Sequence, residues 1–242
     1  MSEVAVVPDV AAAAAELFLE STAGAVAARG RALVALTGGG TATPLYEKLR
    51  SDPLRGRISW SSLQLFFTDE RAVPPGDERS NYGLAHRELV APLQIDEAQL
   101  HRLRGEAADL DAEARRAANE LRAVAGEPPR LDLVLLGLGP DGHICSLFAG
   151  VPGSADRGDE ELVRHVAAPA YLEPRVERLT LTPFVVVTAR TVLLQVIGEK
   201  KAPVLARVLK GPEDLVACPG QWLRRAAGRV VVAADAAAAA QL

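Results

Sequence analysis

Short apolar runs alternate with helical stretches along the whole 242-residue chain, and this alternation constrains the fold more than any other feature. The runs are apolar at consecutive positions, as in strands that are buried on both faces of a parallel sheet. We therefore predict an α/β protein with a doubly wound, mostly parallel sheet and helices on both of its faces. The predicted strands are residues 32–36, 63–68, 131–137, 192–197 and 230–233.

The stretches between these runs carry helical patterns, and the first of them follows Asp9, a residue type that caps helix N-termini. No internal repeat and no change of composition divides the chain, so we expect residues 1–242 to form a single domain. The predicted helices are residues 10–28, 44–49, 81–89, 110–124, 201–209 and 221–227, with a terminal helical turn at 236–240.

The charge balance and the cysteines restrict the partners and the compartment. The chain has 27 Lys and Arg against 31 Asp and Glu, a net charge of −4, which argues against nucleic acid or an anionic membrane as a partner. Its two cysteines, Cys145 and Cys218, form neither a disulfide framework nor a zinc motif. No apolar run approaches a membrane span and the N-terminus lacks a basic signal-peptide region, so we expect a cytoplasmic protein with reduced thiols.

One glycine-rich loop follows a predicted strand and ends in a histidine. The run Gly137-Leu138-Gly139-Pro140-Asp141-Gly142-His143 comes directly after the apolar residues 131–136. Open α/β sheets bind ligands at the carboxyl ends of their strands, and a histidine there can exchange a proton near neutral pH. An ordinary turn with a solvated histidine is the alternative interpretation.

A second loop has the features of a phosphate cradle. The run Thr37-Gly38-Gly39-Gly40-Thr41-Ala42-Thr43-Pro44 follows the predicted strand 32–36 and opens a helix at Pro44. Glycines allow the backbone to approach a ligand closely, and a helix N-terminus offers free N–H groups to an anion. The run has neither the lysine of a Walker A loop nor the spacing of a dinucleotide fingerprint, so a sugar phosphate fits better than ATP or NAD. A plain strand-to-helix turn is the alternative.

Charged residues follow other strands of the predicted sheet. In Asp69-Glu70-Arg71, Arg71 can bind a phosphate through two hydrogen bonds, while Asp69 or Glu70 would hold the guanidinium or a sugar hydroxyl. Lys201 follows the predicted strand 192–197 and offers a point charge for phosphate. Arg178 precedes Leu179-Thr180-Leu181-Thr182-Pro183, which is a poor strand pattern because of the proline. Solvated surface charge is the alternative for each of these groups.

The remaining histidines and Cys145 carry weaker signals. His86, His101 and His165 have no glycine loop beside them and are interpreted as surface or structural residues. Cys145 lies two residues from His143, which suggests a thiol nucleophile. Neighbours in one loop rarely face each other, and the apolar residues 147 and 148 indicate that Cys145 turns inward, so we expect no thiol catalysis.

Taken together, these runs resemble the 6-phosphogluconolactonase family. Each motif is weak to moderate alone, but their order is specific and extends over residues 37–202. The chain departs from the family pattern at Cys145, where alanine is common, and at Ala149, where proline is common. Arg175 and Arg178 both lie near the arginine of the pattern, and the Arg-Leu-Thr-Leu-Thr spacing favours Arg178. The matching runs are Gly38-Gly39-Gly40-Thr41, Asp69-Glu70-Arg71 with Ser80-Asn81, Gly137 to His143 with Ser146-Leu147-Phe148, Arg178 to Thr182, and Gly198 with Lys201-Ala202.

The resemblance implies a Rossmann-like fold shared with glucosamine-6-phosphate deaminase and ribose-5-phosphate isomerase relatives. It also implies hydrolysis of 6-phospho-D-glucono-1,5-lactone to 6-phosphogluconate in the pentose phosphate pathway, with no organic cofactor. Because an ester held in a ring is easier to hydrolyse than an amide, we expect that the reaction needs no metal. His143 would be the base that activates water, and Asp141 would orient the loop or the imidazole. The partner is then a small sugar-phosphate lactone, and monomer and weak dimer both stay open. The residues expected to bind the substrate are Gly38, Gly39, Gly40, Thr41, Asp69, Arg71, Asn81, Gly142, Arg178 and Lys201.

Two other functions stay open on the same fold. The first is a sugar-phosphate deaminase or a related isomerase, and the deaminase family usually has Gly-Phe-Asn at the position of Cys145-Ser146-Leu147. A non-catalytic regulator that binds sugar phosphates usually carries an added DNA-binding segment, and this chain has no spare basic helix-turn-helix region.

Overall fold

The computed structural model describes residues 2–158 and 161–242, and the strands in these residues form two sheets. In chain order they are β1 (Glu3–Val6), β2 (Ala32–Leu36), β3 (Leu63–Phe67), β4 (Asp69–Arg71), β5 (Leu100–His101), β6 (Leu133–Gly137), β7 (Val163–Val166), β8 (Arg178–Leu181), β9 (Thr191–Val196) and β10 (Arg229–Ala234). The larger sheet is parallel throughout, in the order β1-β10-β9-β6-β2-β3-β5. The smaller sheet is antiparallel, in the order β4-β8-β7.

The helices occupy most of the connections between these strands. They are α1 (Val10–Arg29), α2 (Ala42–Arg50), α3 (Leu54–Arg57), α4 (Asn81–Ala85), α5 (Ala91–Leu93), α6 (Leu110–Ala125), α7 (Pro183–Thr188) and α8 (Ala202–Lys210). A π-helical turn, His86–Val90, joins α4 to α5, and 3-10 turns cover Trp60–Ser62, Glu97–Gln99, Glu199–Lys201 and Pro219–Arg225. The predicted cap of α1 is present, because the Asp9 carboxylate accepts a hydrogen bond of 2.9 Å from the Ala12 N–H.

The predicted doubly wound sheet is confirmed, and each of the predicted strands overlaps a strand of the larger sheet. The helix ends differ from the predictions. The segment predicted as a helix at 221–227 is the 3-10 turn Pro219–Arg225, and residues 236–240 form turns and no helix. There the Asp235 carboxylate accepts a hydrogen bond from the Ala238 N–H, which closes one turn after β10.

The segment from Arg178 to Leu181 is a strand, although its sequence pattern predicts a poor one. It is the central strand of the smaller sheet, and its four residues are buried. Pro183 does not interrupt this strand because it lies beyond the last paired residue and begins α7, where a missing N–H costs nothing. Register pairs Asp69 with Thr180 and Arg71 with Arg178, so two predicted cationic residues stand directly opposite each other.

Helix α1 corrects a second expectation. Its apolar 18-residue window has a mean hydropathy of 1.4, so the helix is long and apolar enough to cross a membrane, contrary to the prediction from sequence. Half of that window is buried inside the protein, with Phe18 and the alanines Ala14 and Ala15 fully enclosed. The helix packs against α2, β2 and β9 and is therefore a core helix of the α/β fold.

The order of the strands places a crevice between β2 and β6. The chain adds β3 and β5 on one side of β2, and then β6, β9 and β10 on the other. β6 pairs with β9 over five register positions but with β2 over only two, Val34 with Leu133 and Ala35 with Val134. The carboxyl ends of β2 and β6 therefore separate, and such a switch point is where open α/β sheets bind their ligands.

The opposite edge of the sheet is held by a buried carboxylate. Asp132 is only 4% exposed and accepts hydrogen bonds from the Leu33 N–H at 2.9 Å and from the Arg29 guanidinium at 2.6 Å. The Arg190 guanidinium lies 3.2 Å from the same carboxylate. Asp132 thus ties α1 and the amino ends of three central strands together, far from the crevice.

We predict that Asp132→Ala lowers the free energy of unfolding by about 1.5–3 kcal/mol, because hydrogen bonds to a buried charged group are lost and two guanidinium groups are left without their carboxylate. Urea titration measures this change. Asp111→Ala is the matched control, since its carboxylate is 70% exposed, and it should change stability by no more than about 0.5 kcal/mol. Equal losses in the two variants would contradict the assignment of Asp132 as a buried tie.

Candidate active site

A cleft of about 460 Å³ opens at the separated ends of β2 and β6. The loop after β2 and the loop after β6 form its two sides, and a side chain at Gly137 would lie 3.3 Å from the Thr41 hydroxyl on the facing loop. The cleft brings together most of the residues that the sequence singled out: Gly38, Gly39, Gly40, Thr41, Asp69, Arg71, Asn81, His143, Arg178 and Lys201. Asp141 and Gly142 lie behind this surface and do not line it.

His143 and Asp141 form a hydrogen-bonded pair at one side of the cleft. The imidazole Nδ1 lies 2.5 Å from Asp141 Oδ1, which also accepts a bond of 3.2 Å from the His143 backbone N–H. Burial tends to raise the pKa of the Asp141 carboxyl, but the contacts with His143 and Tyr171 outweigh it and hold this pKa well below its usual range. In a neutral imidazole this ionised carboxylate holds the proton on Nδ1, so Nε2 is the atom that can accept a second one.

The glycines of this loop are required by the close packing around the imidazole. A side chain at Gly139 would place its Cβ 2.1 Å from His143 Nδ1. Gly142 has a φ of +93°, and its carbonyl accepts a hydrogen bond of 2.7 Å from the Gly220 N–H. Gly142 thus fastens the loop to the segment before β10, and its predicted role in substrate binding stays a prediction.

Two arginines form the cationic end of the cleft. Arg71 on β4 and Arg178 on β8 are register partners, and within the described residues neither forms an ion pair with a carboxylate. Arg178 is 3% exposed and donates to the carbonyls of Pro174 and Val176. Burial, and after it the neighbouring Arg71 charge, lowers the pKa of the Arg178 guanidinium to about 10.

The two cations face each other, and the nearby Asp69 and Glu70 charges offset their repulsion only in part. Like charges directly opposite on an antiparallel pair destabilise a sheet. The Arg71 guanidinium donates to the Arg79 carbonyl at 2.6 Å, but its buried Nε has no partner in the described part of the chain. Arg175, in contrast, is exposed, lies outside the cleft and pairs with Glu173 at 2.8 Å. The geometry therefore favours Arg178 over Arg175 as the residue that faces a ligand.

A polar network forms the floor between the two ends. Asp69 is 8% exposed, and its carboxylate accepts a hydrogen bond of 2.7 Å from the Ser146 hydroxyl. The Asn81 amide donates to the Asp69 carbonyl oxygen at 3.0 Å, while its own Oδ1 has no partner among the described residues. A side chain at Gly38 would place its Cβ 1.9 Å from that Oδ1. The first glycine of the loop after β2 is thus required by Asn81.

Glu70 takes no part in the cleft, although the sequence analysis considered it beside Asp69. Its buried carboxylate accepts hydrogen bonds from the backbone N–H groups of Arg71, Asn81 and Tyr82 at 2.7–2.8 Å and from the Ser80 hydroxyl at 2.9 Å. Burial raises the pKa of this carboxyl despite these donors. Glu70 therefore holds the start of α4 and, through it, the position of Asn81.

Phe148 lies between the two ends of the cleft. Its ring is 1% exposed and meets the His143 imidazole edge-on, with 5.2 Å between the ring centroids. The Arg178 guanidinium carbon lies 6.0 Å from the same ring centroid. The Phe148 ring therefore lies between the His143–Asp141 pair and the two arginines. A single small molecule can contact His143 and the arginines at the same time.

Lys201 lies on the side of His143 and not with the arginines. Its ammonium donates a hydrogen bond of 2.7 Å to the Leu138 carbonyl, in the same loop as the histidine. Burial lowers the pKa of this ammonium, and the Asp141 charge acts in the opposite direction. The three cations that the sequence grouped together are thus divided between the two ends of the cleft.

Cys145 fits the expectation only in part, because it lines the cleft while it also packs against the hydrophobic core. Its backbone adopts a φ of +51°, in the left-handed region that few residues other than glycine adopt. Burial, and after it the Asp69 charge, raises the pKa of the thiol well above its usual value. The thiolate needed for nucleophilic attack is therefore disfavoured.

The other histidines are structural or surface residues, as predicted. His101 is stacked on Phe66 and bridges Glu120 and Gln64, and His86 and His165 lie near exposed carboxylates. Within residues 2–158 and 161–242, no group of three or more His, Cys, Asp or Glu side chains could hold a metal ion.

Sequence reasoning missed two residues of the cleft region. Tyr171, in the loop between β7 and β8, places its hydroxyl 2.9 Å from Asp141 Oδ2. Gln195 on β9 is 1% exposed, lies at the cleft and has no partner for its amide among the described residues. Neither position carries a local motif, and only the three-dimensional contacts reveal them.

Comparison with known proteins places the chain in a family. Residues 7–232 match the family described as glucosamine-6-phosphate isomerases/6-phosphogluconolactonase. A 6-phosphogluconolactonase of Streptomyces coelicolor is 36% identical over 242 aligned residues, which cover 96% of this chain and 90% of that protein. The structure of 6-phosphogluconolactonase from Trypanosoma cruzi superposes with a TM-score of 0.88 at 27% identity, covering 100% of this chain and 97% of the other.

A monomeric glucosamine-6-phosphate deaminase superposes with a TM-score of 0.84 at 20% identity, covering 99% of this chain and 100% of the other, and this likeness shows the fold alone. The family match extends over nearly the whole chain. The chain therefore belongs to the glucosamine-6-phosphate isomerase/6-phosphogluconolactonase family.

We predict that inorganic phosphate binds at the arginine pair and raises the melting temperature. At a concentration about 100 times its Kd, phosphate stabilises the folded protein by about 2.7 kcal/mol. Arg71→Ala and Arg178→Ala should each remove most of this effect, whereas Arg175→Ala, the exposed control, should retain it. Thermal unfolding with and without phosphate measures the difference. The same phosphate response in all three variants would show that the pair is not the anion site.

Proposed function

We propose that this chain is a carboxylic ester hydrolase that converts 6-phospho-D-glucono-1,5-lactone to 6-phospho-D-gluconate in the oxidative pentose phosphate pathway. The observation that carries the proposal is the division of the cleft into a His–Asp pair and an arginine pair on the two sides of Phe148. The substrate has the matching division, with a lactone carbonyl at one end and a phosphate dianion at the other. The names of the similar proteins support the same activity.

His143 acts as the general base. Its Nε2 takes a proton from water as the water oxygen attacks C1 of the lactone, and Asp141 keeps the imidazole in the required tautomer. The tetrahedral intermediate then collapses with cleavage of the bond between C1 and the ring oxygen. The imidazolium returns its proton to that oxygen, which yields the open-chain hydroxy acid.

Positive charge on both sides of the lactone assists this reaction. Lys201, held on the Leu138 carbonyl, stabilises the oxyanion that develops at C1. Arg71 and Arg178 bind the phosphate, with the N-terminus of α2 and the backbone of Gly38–Thr41 as further donors. Asp69 and Asn81 face the cleft and bind sugar hydroxyls in the middle.

A lactone is an activated ester, so a positioned water, a base and charge stabilisation suffice for its hydrolysis. A deaminase or isomerase would release ammonia or form a ketose, and a coupled assay for either product separates these activities from lactone hydrolysis.

We further propose that the protein acts on a free small molecule in the cytoplasm and binds neither nucleic acid nor membrane. A gel-shift assay tests for binding to nucleic acid, and a vesicle-sedimentation assay tests for binding to membranes.

We predict that His143→Ala lowers the rate of lactone hydrolysis by about 10²–10⁴-fold, the usual contribution of a general base. Proton release from freshly made lactone measures this rate, after subtraction of the spontaneous hydrolysis. Cys145→Ala is the matched control from the same loop and cleft, and it should stay active. Wild-type turnover in His143→Ala would refute the base assignment, and an inactive but folded Cys145→Ala would restore the thiol mechanism.

A further inference from the structure

Tyr171 combines an exposed ring with a fixed hydroxyl. The residue is 59% exposed, on the loop between β7 and β8. Its hydroxyl nevertheless points at the loop of His143, 2.9 Å from Asp141 Oδ2 and 2.9 Å from the Ala149 carbonyl oxygen. A phenol has one proton to donate, and an ionised carboxylate is the stronger acceptor of the two.

The two oxygens of Asp141 therefore have different donors. Oδ1 accepts from the His143 imidazole and backbone, and Oδ2 accepts from Tyr171. Burial and the Asp141 charge raise the pKa of the Tyr171 phenol to about 12, so the phenol keeps its proton at neutral pH. Rotation of a carboxylate about its terminal bond is soft, and donors on both oxygens stop it. Since the Asp141 carboxylate orients the His143 imidazole, any rotation of the carboxylate also moves the imidazole.

The chain that follows Tyr171 extends along the cleft to the arginine pair. Leu172 and Glu173 line the cleft, and the Pro174 carbonyl accepts a hydrogen bond of 2.8 Å from the Arg178 guanidinium. We call residues 171–174 the strap. Its first residue contacts Asp141 and its last contacts Arg178, so it connects the two ends of the cleft along one wall.

We propose that Tyr171 is a positioning residue for the hydrolysis: its hydroxyl orients the Asp141 carboxylate toward His143. This inference rests on the proposed function, because lactone hydrolysis is its readout. Tyr171 itself does not touch the reacting atoms, and it acts through Asp141. Its removal should therefore reduce the rate of the chemical step and leave substrate binding at the arginines largely intact.

The test is Tyr171→Phe, which keeps the ring and deletes only the hydroxyl. We expect kcat to fall about 10-fold or more, the effect of losing one hydrogen bond to a charged group, while KM changes less than about twofold. Tyr82→Phe is the matched control, since that hydroxyl lies 3.4 Å from Glu97 and outside the cleft, and it should retain the wild-type kcat. Circular dichroism and thermal unfolding show that each variant is folded.

A double-mutant cycle with Asp141→Asn distinguishes positioning from a general structural role. If Tyr171 acts through the carboxylate, Tyr171→Phe should have little further effect on kcat in the Asp141→Asn background. An undiminished second loss in that background, a wild-type kcat in Tyr171→Phe, or a rise in KM alone would overturn the inference. A wild-type protein without lactone hydrolysis above the spontaneous rate would instead refute the proposed function, so the two failures are distinguishable.

Discussion

The separation of β2 from β6 is the constraint on which the rest of the site depends. The two strands pair over two register positions and then diverge, while β6 stays paired with β9 to its last residue. The divergence leaves the loops after β2 and β6 facing each other across a gap and not hydrogen-bonded to each other. Because residues 38 and 139 are glycines, Asn81 and the His143 imidazole can occupy space that a side chain at 38 or 139 would fill. The backbone of the sheet thus creates the space, and the glycines determine which groups fill it.

The charge of the cleft is opposite in sign to the net charge of the chain. The protein is acidic overall, with a net charge of −4, yet the cleft places two arginines opposite each other without a carboxylate partner in the described residues. The carboxylate of Asp132, by contrast, lies at the far edge of the sheet with two arginines around it. The carboxylate at the amino ends of the strands is thus paired with arginines, whereas the two arginines at the carboxyl ends have no ion pair among the described residues.

Much of the site could be predicted from sequence because its signals are local. A buried strand followed by glycines and His143 identifies a loop at the carboxyl edge of a sheet without knowledge of any other segment. The Thr37–Thr41 turn is recognisable for the same reason. These motifs gave the parallel sheet and placed His143 correctly in the cleft.

The remaining features depend on contacts between distant segments. The pairing of β4 with β8 joins Arg71 to Arg178, and no local pattern predicts this register. Tyr171 lies in an irregular segment, and only the fold brings its hydroxyl to Asp141. Cys145 both lines the cleft and packs against the core, and its positive φ follows from no local sequence motif. The division of the cations between the two ends of the cleft could likewise be seen only in three dimensions.

We propose that the arginine pair binds the phosphate of a lactone whose carbonyl lies at His143. The most direct test measures kcat/KM for glucono-1,5-lactone with and without its 6-phosphate, in the wild type and in Arg71→Ala. We expect the wild type to prefer the phosphorylated lactone by about 3 kcal/mol of transition-state binding or more, at roughly 1.5–3 kcal/mol for each charge-assisted contact. We also expect Arg71→Ala to lose most of that preference while its activity on the unphosphorylated lactone changes little. An equal reduction for both lactones would show that Arg71 does not bind the phosphate.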